Sequence, residues 1–308
     1  MSAYPTPHFE KLKATLASNK LPANDKPQVE KAIENYEQWI ANMEAIMNSD
    51  ESPQEKLRNM VDMLNQYRIR MDIDLIFDSA DDWLYRQKGQ IKLDNSIIEE
   101  FLPRLVHPSL MPEISQMHVH IGPVEAFSSL WFDSSLVRPE KVGGLNIRTK
   151  AQDFTISRPL YIKASHSPDF QDAIEQSTHL AYIAAECKTN LDKTMFQEAS
   201  ATARDLKTAI PGSKYFLLCE WLDMKPVSSA TTYIDQVLLL RKAKRISSNI
   251  RGTFSTYKGR QAAKAAYIEF LNSHPYRLEI FELFMSSIRQ LLTNDPLDEE
   301  TVLERGYF

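Results

Sequence analysis

HLAYIAAECKTNLDKTMFQEASATARDLKTAIPGSKYFLLCEWL, residues 179–222, decides the fold. Its first ten residues form an apolar run with charge only at the far end, the pattern of a strand buried on both faces. TMFQEASATARDLKTA then carries Met195, Phe196, Ala199, Thr202, Ala203 and Leu206 on one side of a helix. Pro211-Gly212 marks a turn, and KYFLLCEWL reads as the next buried strand. Strand, helix and strand at this spacing predict a parallel crossover and an α/β class.

Outward from that unit, TISRPLYIKAS upstream reads as a strand, and short strands including MHVHIGP are expected within 108–150. Residues 1–70 read as a helical N-terminal lobe, with 71–308 as the core and its C-terminal helices. Val29, Ile33, Trp39, Ile40, Met43 and Met47 make one apolar stripe. Ser52, Pro53 and Glu55 supply a cap, a first-turn proline and a capping-box acid for the next helix. MDIDLIFDSADD, with Asp72, Asp74 and Asp78, lacks the glycine of a calcium loop and reads as a solvated strand and turn. Glu99 and Glu100 fall on a helix over IIEEFLPRL, and Ser273 caps a last amphipathic helix.

The totals set limits. The chain has 308 residues, 43% of them hydrophobic, and a formal charge of −5. Cys187 and Cys219 are too few for a disulfide framework or a cysteine zinc site. No signal-like N-terminus or membrane-length apolar run occurs, so a cytoplasmic protein without membrane contact is expected. A P-loop, an H-E-x-x-H and a G-x-S-x-G are all missing from the sequence.

Chemistry gathers around the strand of residues 179–188. Glu186 and Lys188 lie two apart, hence on one side of it. Burying a carboxylate and an ammonium at the end of an apolar run is costly unless both face a shared polar site. Upstream stands Pro168-Asp169. Together these residues suit phosphodiester hydrolysis. Asp169, Glu186 and the Cys187 carbonyl would be ligands of a hard Mg²⁺, while Lys188 would orient the attacking water or stabilise charge on the phosphate. The Cys187 side chain would point into the core. Glu99, Glu100, Gln197 and Glu198 are candidates to support that centre from behind. His118 and His120 share a strand face without a third ligand at recognisable spacing, which favours a structural or DNA-facing role.

Between Asp235 and Glu269 no acidic residue occurs. That window holds Arg241, Lys242, Lys244, Arg245, Asn249, Arg251, Lys258, Arg260 and Lys264. It suits a surface that tracks DNA phosphates, with some side chains reaching base edges.

The segments RPLYIKASHSPDF, AAECKTNLDKTMFQEA, KYFLLCEWLDM, YRQKGQIKLDNSIIEEFLPRL and LLLRKAKRISSNIR resemble the restriction endonuclease family that contains BbvCI and Bpu10I. The resemblance runs from about residue 25 to the C-terminus. It implies a PD-(D/E)XK restriction-endonuclease-like core, a mixed central sheet flanked by helices. It also implies Mg²⁺-dependent cleavage of double-stranded DNA within a short asymmetric sequence, with the catalytic roles on Asp169, Glu186 and Lys188. Two non-identical subunits are usual in that family; for this chain a homodimer and a heterodimer both stay open. A structure-directed repair or transposon nuclease and a non-catalytic DNA-binding protein built on the same core are the competing readings.

Overall fold

The computed structural model describes residues 4–133, 136–137, 144–293 and 299–306; any expected strand within 134–135 or 138–143 lies outside them. Five helices come first: α1 (Pro7–Leu16), α2 (Lys26–Met47), α3 (Pro53–Arg70), α4 (Trp83–Gln87) and α5 (Asn95–Leu105). The sheet follows as β1 (His120–Phe132), β2 (Leu145–Ala164) and β3 (Ile174–Leu191), then α6 (Lys193–Ala209), β4 (Lys214–Leu222) and β5 (Gln236–Lys244). Helices α7 (Ser248–Thr253), α8 (Tyr257–Ser273), α9 (Leu278–Thr293) and α10 (Glu299–Arg305) complete the order.

The sheet order is β1-β2-β3-β4-β5. The first three strands are antiparallel neighbours, and β3, β4 and β5 run parallel. The crossover expected from residues 179–222 is therefore present as β3-α6-β4. From Ile183 onward strand β3 is covered on both faces. Ile183, Ala185 and Cys187 join a core with the N-terminal helices and α9. Ala181 and Ala184 pack with Phe196, Ala199, Ala203 and Leu206 of α6. The first of these cores runs without a break from Leu12 to Ile288. The helices of residues 1–70 thus form one layer of the same body as the sheet.

The capping box at Ser52 and Glu55 forms as read. The reading of residues 71–82 needs correction. Helix α3 continues into a π-helical turn, Met71–Phe77, and no strand forms there. Met71, Ile73, Leu75, Ile76 and Phe77 are all buried, so apolar surface surrounds this turn. Asp72 is buried as well, because Arg68 one turn back neutralises it at 3.3 Å.

Arg68 is the hub of a buried charge cluster. It also meets Asp94 at 3.1 Å and Glu220 of β4 at 3.4 Å, and Glu220 in turn holds Arg241 of β5 at 3.3 Å. Burial works to raise the Asp94 carboxyl, but Lys88 and Arg68 outweigh it and hold it at about 2. Removing one member of such a cluster leaves its partners charged and dry. Arg68→Leu is expected to cost about 3–5 kcal/mol, read as a lower denaturant midpoint in urea unfolding. Arg86→Leu, whose pair with Asp82 is exposed, should change stability by less than about 1 kcal/mol.

Candidate active site

The polar site lies where β2, β3 and β4 meet. On β2 the register against β1 shifts between Gly122 and Val124, which pair with Thr155 and Gln152. Asp153 and Phe154 together face Pro123, so β2 carries a bulge. Gly122 has φ of 140°, a conformation that favours glycine, and Pro123 has no N–H to give to the ladder. Bulges of this kind re-aim side chains. Here the result is that Asp153 reaches across to β3, where its Oδ2 accepts a hydrogen bond from the Cys187 N–H at 2.8 Å. Phe154 pairs with Ala185, so Asp153 stands beside Glu186.

Both oxygens of Glu186 are engaged. Lys188 Nζ lies 2.6 Å from Oε1, and the buried Tyr215 hydroxyl of β4 donates to Oε2 at 2.7 Å. Burial acts to lower the Lys188 ammonium, but Glu186, Asp153 and Glu198 outweigh it and the group is held above its usual range. Burial, with Glu186 beside it, pushes Asp153 up. Glu99, on the face of α5 turned to this site, is pushed up to about 7 by burial and then by Asp153. Its Oε1 is buried without a hydrogen-bond partner. Three carboxylates therefore share a recess, where Lys188 pairs with Glu186 and Lys92 adds its field to Glu99 and Asp153.

Glu186 and Lys188 are brought together as the strand period requires, and the Cys187 side chain is in the core, 2% exposed. Asp169 is not with them. It sits in the turn joining β2 to β3, fully exposed, and accepts a hydrogen bond from the Ser167 hydroxyl. Ala164 pairs with Ile174 at that end of the hairpin, while Glu186 lies near the other. At about 3.3 Å per residue, roughly 40 Å of strand separates them. The proline before Asp169 belongs to a hairpin turn. The signal for Asp153 was weaker: an acid in the alternation Asp153, Thr155, Ser157 against Phe154 and Ile156, with nothing in the local text to mark the bulge.

The other expected residues divide. Adjacent helix positions diverge by about 100°, so Glu100 faces away from the site. It binds the His8 N–H at 2.9 Å and the Tyr36 hydroxyl, and it ties α1 and α2 to α5. Glu198 is exposed on α6 and adds to the field on Lys188; Gln197 is exposed beside it. In the basic window, Arg241 is 2% exposed and cannot meet DNA as expected. Besides Glu220 it binds the His274 carbonyl at 2.6 Å and lies 4.0 Å over the Tyr276 ring. Arg260 is also buried, bound to the carbonyls of Phe77, Ser79, Asp81 and Phe254. Lys264 pairs with Asp78 at 2.7 Å. Lys242 is exposed and 3.0 Å from Glu279, and Lys244 and Asn249 are exposed. Arg245 and Arg251 are half-buried beside Asp223. His118 is exposed just before β1, and the His120 ring lies 5.2 Å from that of His179.

An acid whose folded value is raised stabilises the fold below its unfolded value and loses that contribution as pH rises through the folded one. For Glu99 the window runs from about 4.5 to about 7. In metal-free buffer, Glu99→Gln should therefore raise the melting temperature at pH 8, by up to about 3 kcal/mol in stability. At pH 4 it should have little effect. Thermal melts of both proteins across pH 4–8 check this.

Comparison with known proteins follows the same lines. The computed fold matches a chain of the native BbvCI A2B2 tetramer with a TM-score of 0.52 and 20% sequence identity, covering 89% of this chain and all of that one. The two share an α/β nuclease-like core of a mixed sheet with flanking helices. No curated protein sequence matches the chain. The family profile of the Bpu10I restriction endonuclease matches residues 90–308, which hold the whole sheet and every residue of the recess. The chain therefore belongs to the Bpu10I restriction endonuclease family and is a type II, site-specific nuclease chain.

Proposed function

We propose that Asp153, Glu186 and Lys188 are the hydrolytic centre, in a PD-(D/E)XK arrangement where Asp153 takes the role that the local sequence suggested for Asp169. The observation that carries this is the Asp153 carboxylate seated on the Cys187 N–H, beside the Glu186–Lys188 pair. Restriction endonucleases generally use a divalent metal, and the donor set here suits Mg²⁺. Two hard carboxylates stand side by side, a third is pushed up by burial and by Asp153, and a buried Glu99 oxygen has no hydrogen-bond partner among the described residues. Among the described residues no three His, Cys, Asp or Glu side chains form a closed cage. Mg²⁺ does not need one, since it is usually held by one or two carboxylates with water and phosphate oxygens.

Asp153, Glu186 and the Cys187 carbonyl would hold the ion, with Glu99 behind Asp153. When bound, it lowers the pKa of water and draws charge from the phosphate. The chain's own residues do the rest. Lys188, kept protonated by its acidic neighbours, orients the attacking water and offsets charge growing on the phosphate oxygens. Tyr215 holds the Glu186 carboxylate in one orientation through Oε2. Lys244, Arg245, Asn249, Arg251 and Lys258 remain available to a DNA backbone, because Arg241 and Arg260 are committed inside the protein.

One centre cuts one strand, so double-strand cleavage needs a second copy or a related chain. The similar structure is that of an A2B2 assembly, which favours a partner chain for an asymmetric target. Among the described residues no helix is long and apolar enough to cross a membrane, and we place the protein in the cytoplasm.

Plasmid cleavage with Mg²⁺ tests the centre. Asp153→Asn should lower the rate at least about a hundredfold, and Lys188→Ala should do the same. Asp169→Asn should stay within about threefold of the unaltered protein. Near-normal cutting by Asp153→Asn would remove it from the centre. In Ca²⁺, Lys244→Gln and Arg251→Gln should weaken binding to every duplex alike and each lower the salt slope by about one. An unchanged slope would show that these side chains do not meet phosphates.

A further inference from the structure

The parallel strands β3, β4 and β5 end around a cavity of about 170 Å³. Asn190 comes from the end of β3, Trp221 from the end of β4, and Arg245 and Ile246 follow β5. The crevice beyond the carboxyl ends of parallel strands is where open α/β sheets bind ligands. The centre proposed above does not use it. Yet Asn190 lies only two residues beyond Lys188 on the same face of β3, about 7 Å along the strand.

The chemistry of the cavity is specific. Its walls are aromatic, from Phe77, Tyr85, Trp221, Phe254, Tyr267 and Phe270. Asn190, 8% exposed, has for its side-chain amide only a 3.7 Å contact to the Met195 sulfur. Lys88, Arg245 and Arg251 are also lining residues and keep partial exposure. A bare phosphate suits this poorly, because six aromatic rings line the space and its cations are already partnered, Arg68 and Lys88 by Asp94 and Arg245 and Arg251 by Asp223. A purely aliphatic group would leave the Asn190 amide without a good hydrogen-bond partner. A flat heteroaromatic ring with a hydrogen-bonding edge satisfies walls and amide alike: it stacks on the walls, and the asparagine amide can donate to and accept from a base edge. Benzene fills an apolar cavity of about 150 Å³, so the space takes one ring system.

We propose that this cavity receives one nucleobase of the bound DNA, unstacked from the duplex close to the cut. Successive nucleotides on a strand are about 3.4 Å apart. A base one to three steps from the scissile phosphate therefore reaches a site about 7 Å past Lys188. The inference rests on the reading of β3 as the cutting strand and adds a step to recognition: the enzyme would test how readily one position leaves the stack, as well as its base edges.

The test first maps the cut on a plasmid with Mg²⁺. Duplexes of that sequence are then made with 5-iodouracil at each position within four nucleotides of the cut, bound to the unaltered protein in Ca²⁺, irradiated, and the cross-linked peptides identified. The expected result is one position that joins to Tyr85, Trp221 or Phe254, with other positions joining elsewhere or not at all. Ile246→Trp, which plugs the opening, should abolish that cross-link and weaken binding of the cut sequence about 10- to 100-fold. Ile246→Ala should keep the cross-link and bind within about threefold of the unaltered protein. Discrete cutting without a cross-link to these rings at any position overturns the inference and leaves the nuclease reading intact. Cross-linking of free 5-iodo-dUMP to them, with none from the duplex, also overturns it, since the cavity would then serve a free nucleotide. Failure to cut any plasmid overturns the nuclease reading, and this inference with it.

Discussion

From Ile183 onward strand β3 is covered on both faces, and that constraint orders the molecule. Successive side chains must alternate between the helical layer of α5 and α9 and the layer of α6. Small residues, Ala181, Ala184 and Ala185, let both layers close on it. Polar groups can appear only where one layer gives out. Glu186 and Lys188 do so on the α6 side, while Cys187 between them stays in the opposite core. Glu186 and Lys188 enter the recess from the α6 face and Glu99 from α5, and the packed backbone of β3 holds them in place. Asp153 completes it from a bulge, and its bond to the Cys187 N–H ties the bulge to that backbone.

How much of this was legible depended on the range of the interaction. The β3-α6-β4 crossover, the capping box of α3, and the shared side of Glu186 and Lys188 all follow from periods of two and 3.6 residues, and they stand as read. Asp153 was missed because a bulge depends on pairing with a strand some thirty residues away. Pro168 and Asp169 stand in the turn of the β2–β3 hairpin, at the far end from Glu186. The basic window misled for a related reason. A one-dimensional run of Arg and Lys cannot tell a guanidinium that faces solvent from one enclosed by a distant carboxylate. Arg241 meets Glu220 and Arg260 meets four carbonyls, all fixed by tertiary packing. Asp72 is the acidic counterpart. Its neighbours suggested solvent, and Arg68 took it inside.

The net charge of −5 is a total over the whole chain, and buried pairs such as Arg241–Glu220 hold both signs away from solvent. Much of its acid is spread over helices away from the sheet's end, and part of it is neutralised internally. Near the carboxyl ends of β3, β4 and β5, Lys88 pairs with Asp94, Arg245 and Arg251 share Asp223, and Lys244 is exposed.

The continuity of the larger core, from Leu12 to Ile288, has a consequence for synthesis on the ribosome. Phe284 of α9 packs against Phe154 and Phe216, and Arg260 closes the turn that follows Phe77. Partners so far apart in the chain make a fold of high contact order, in which loop closure is costly until the late contacts form. The early helices leave the ribosome with their apolar faces uncovered, and the hairpin carrying Asp153 and Glu186 has no wall behind it until α9 arrives. An unfinished chain therefore lacks a rigid recess. Rigidity of the recess waits on the synthesis of α9.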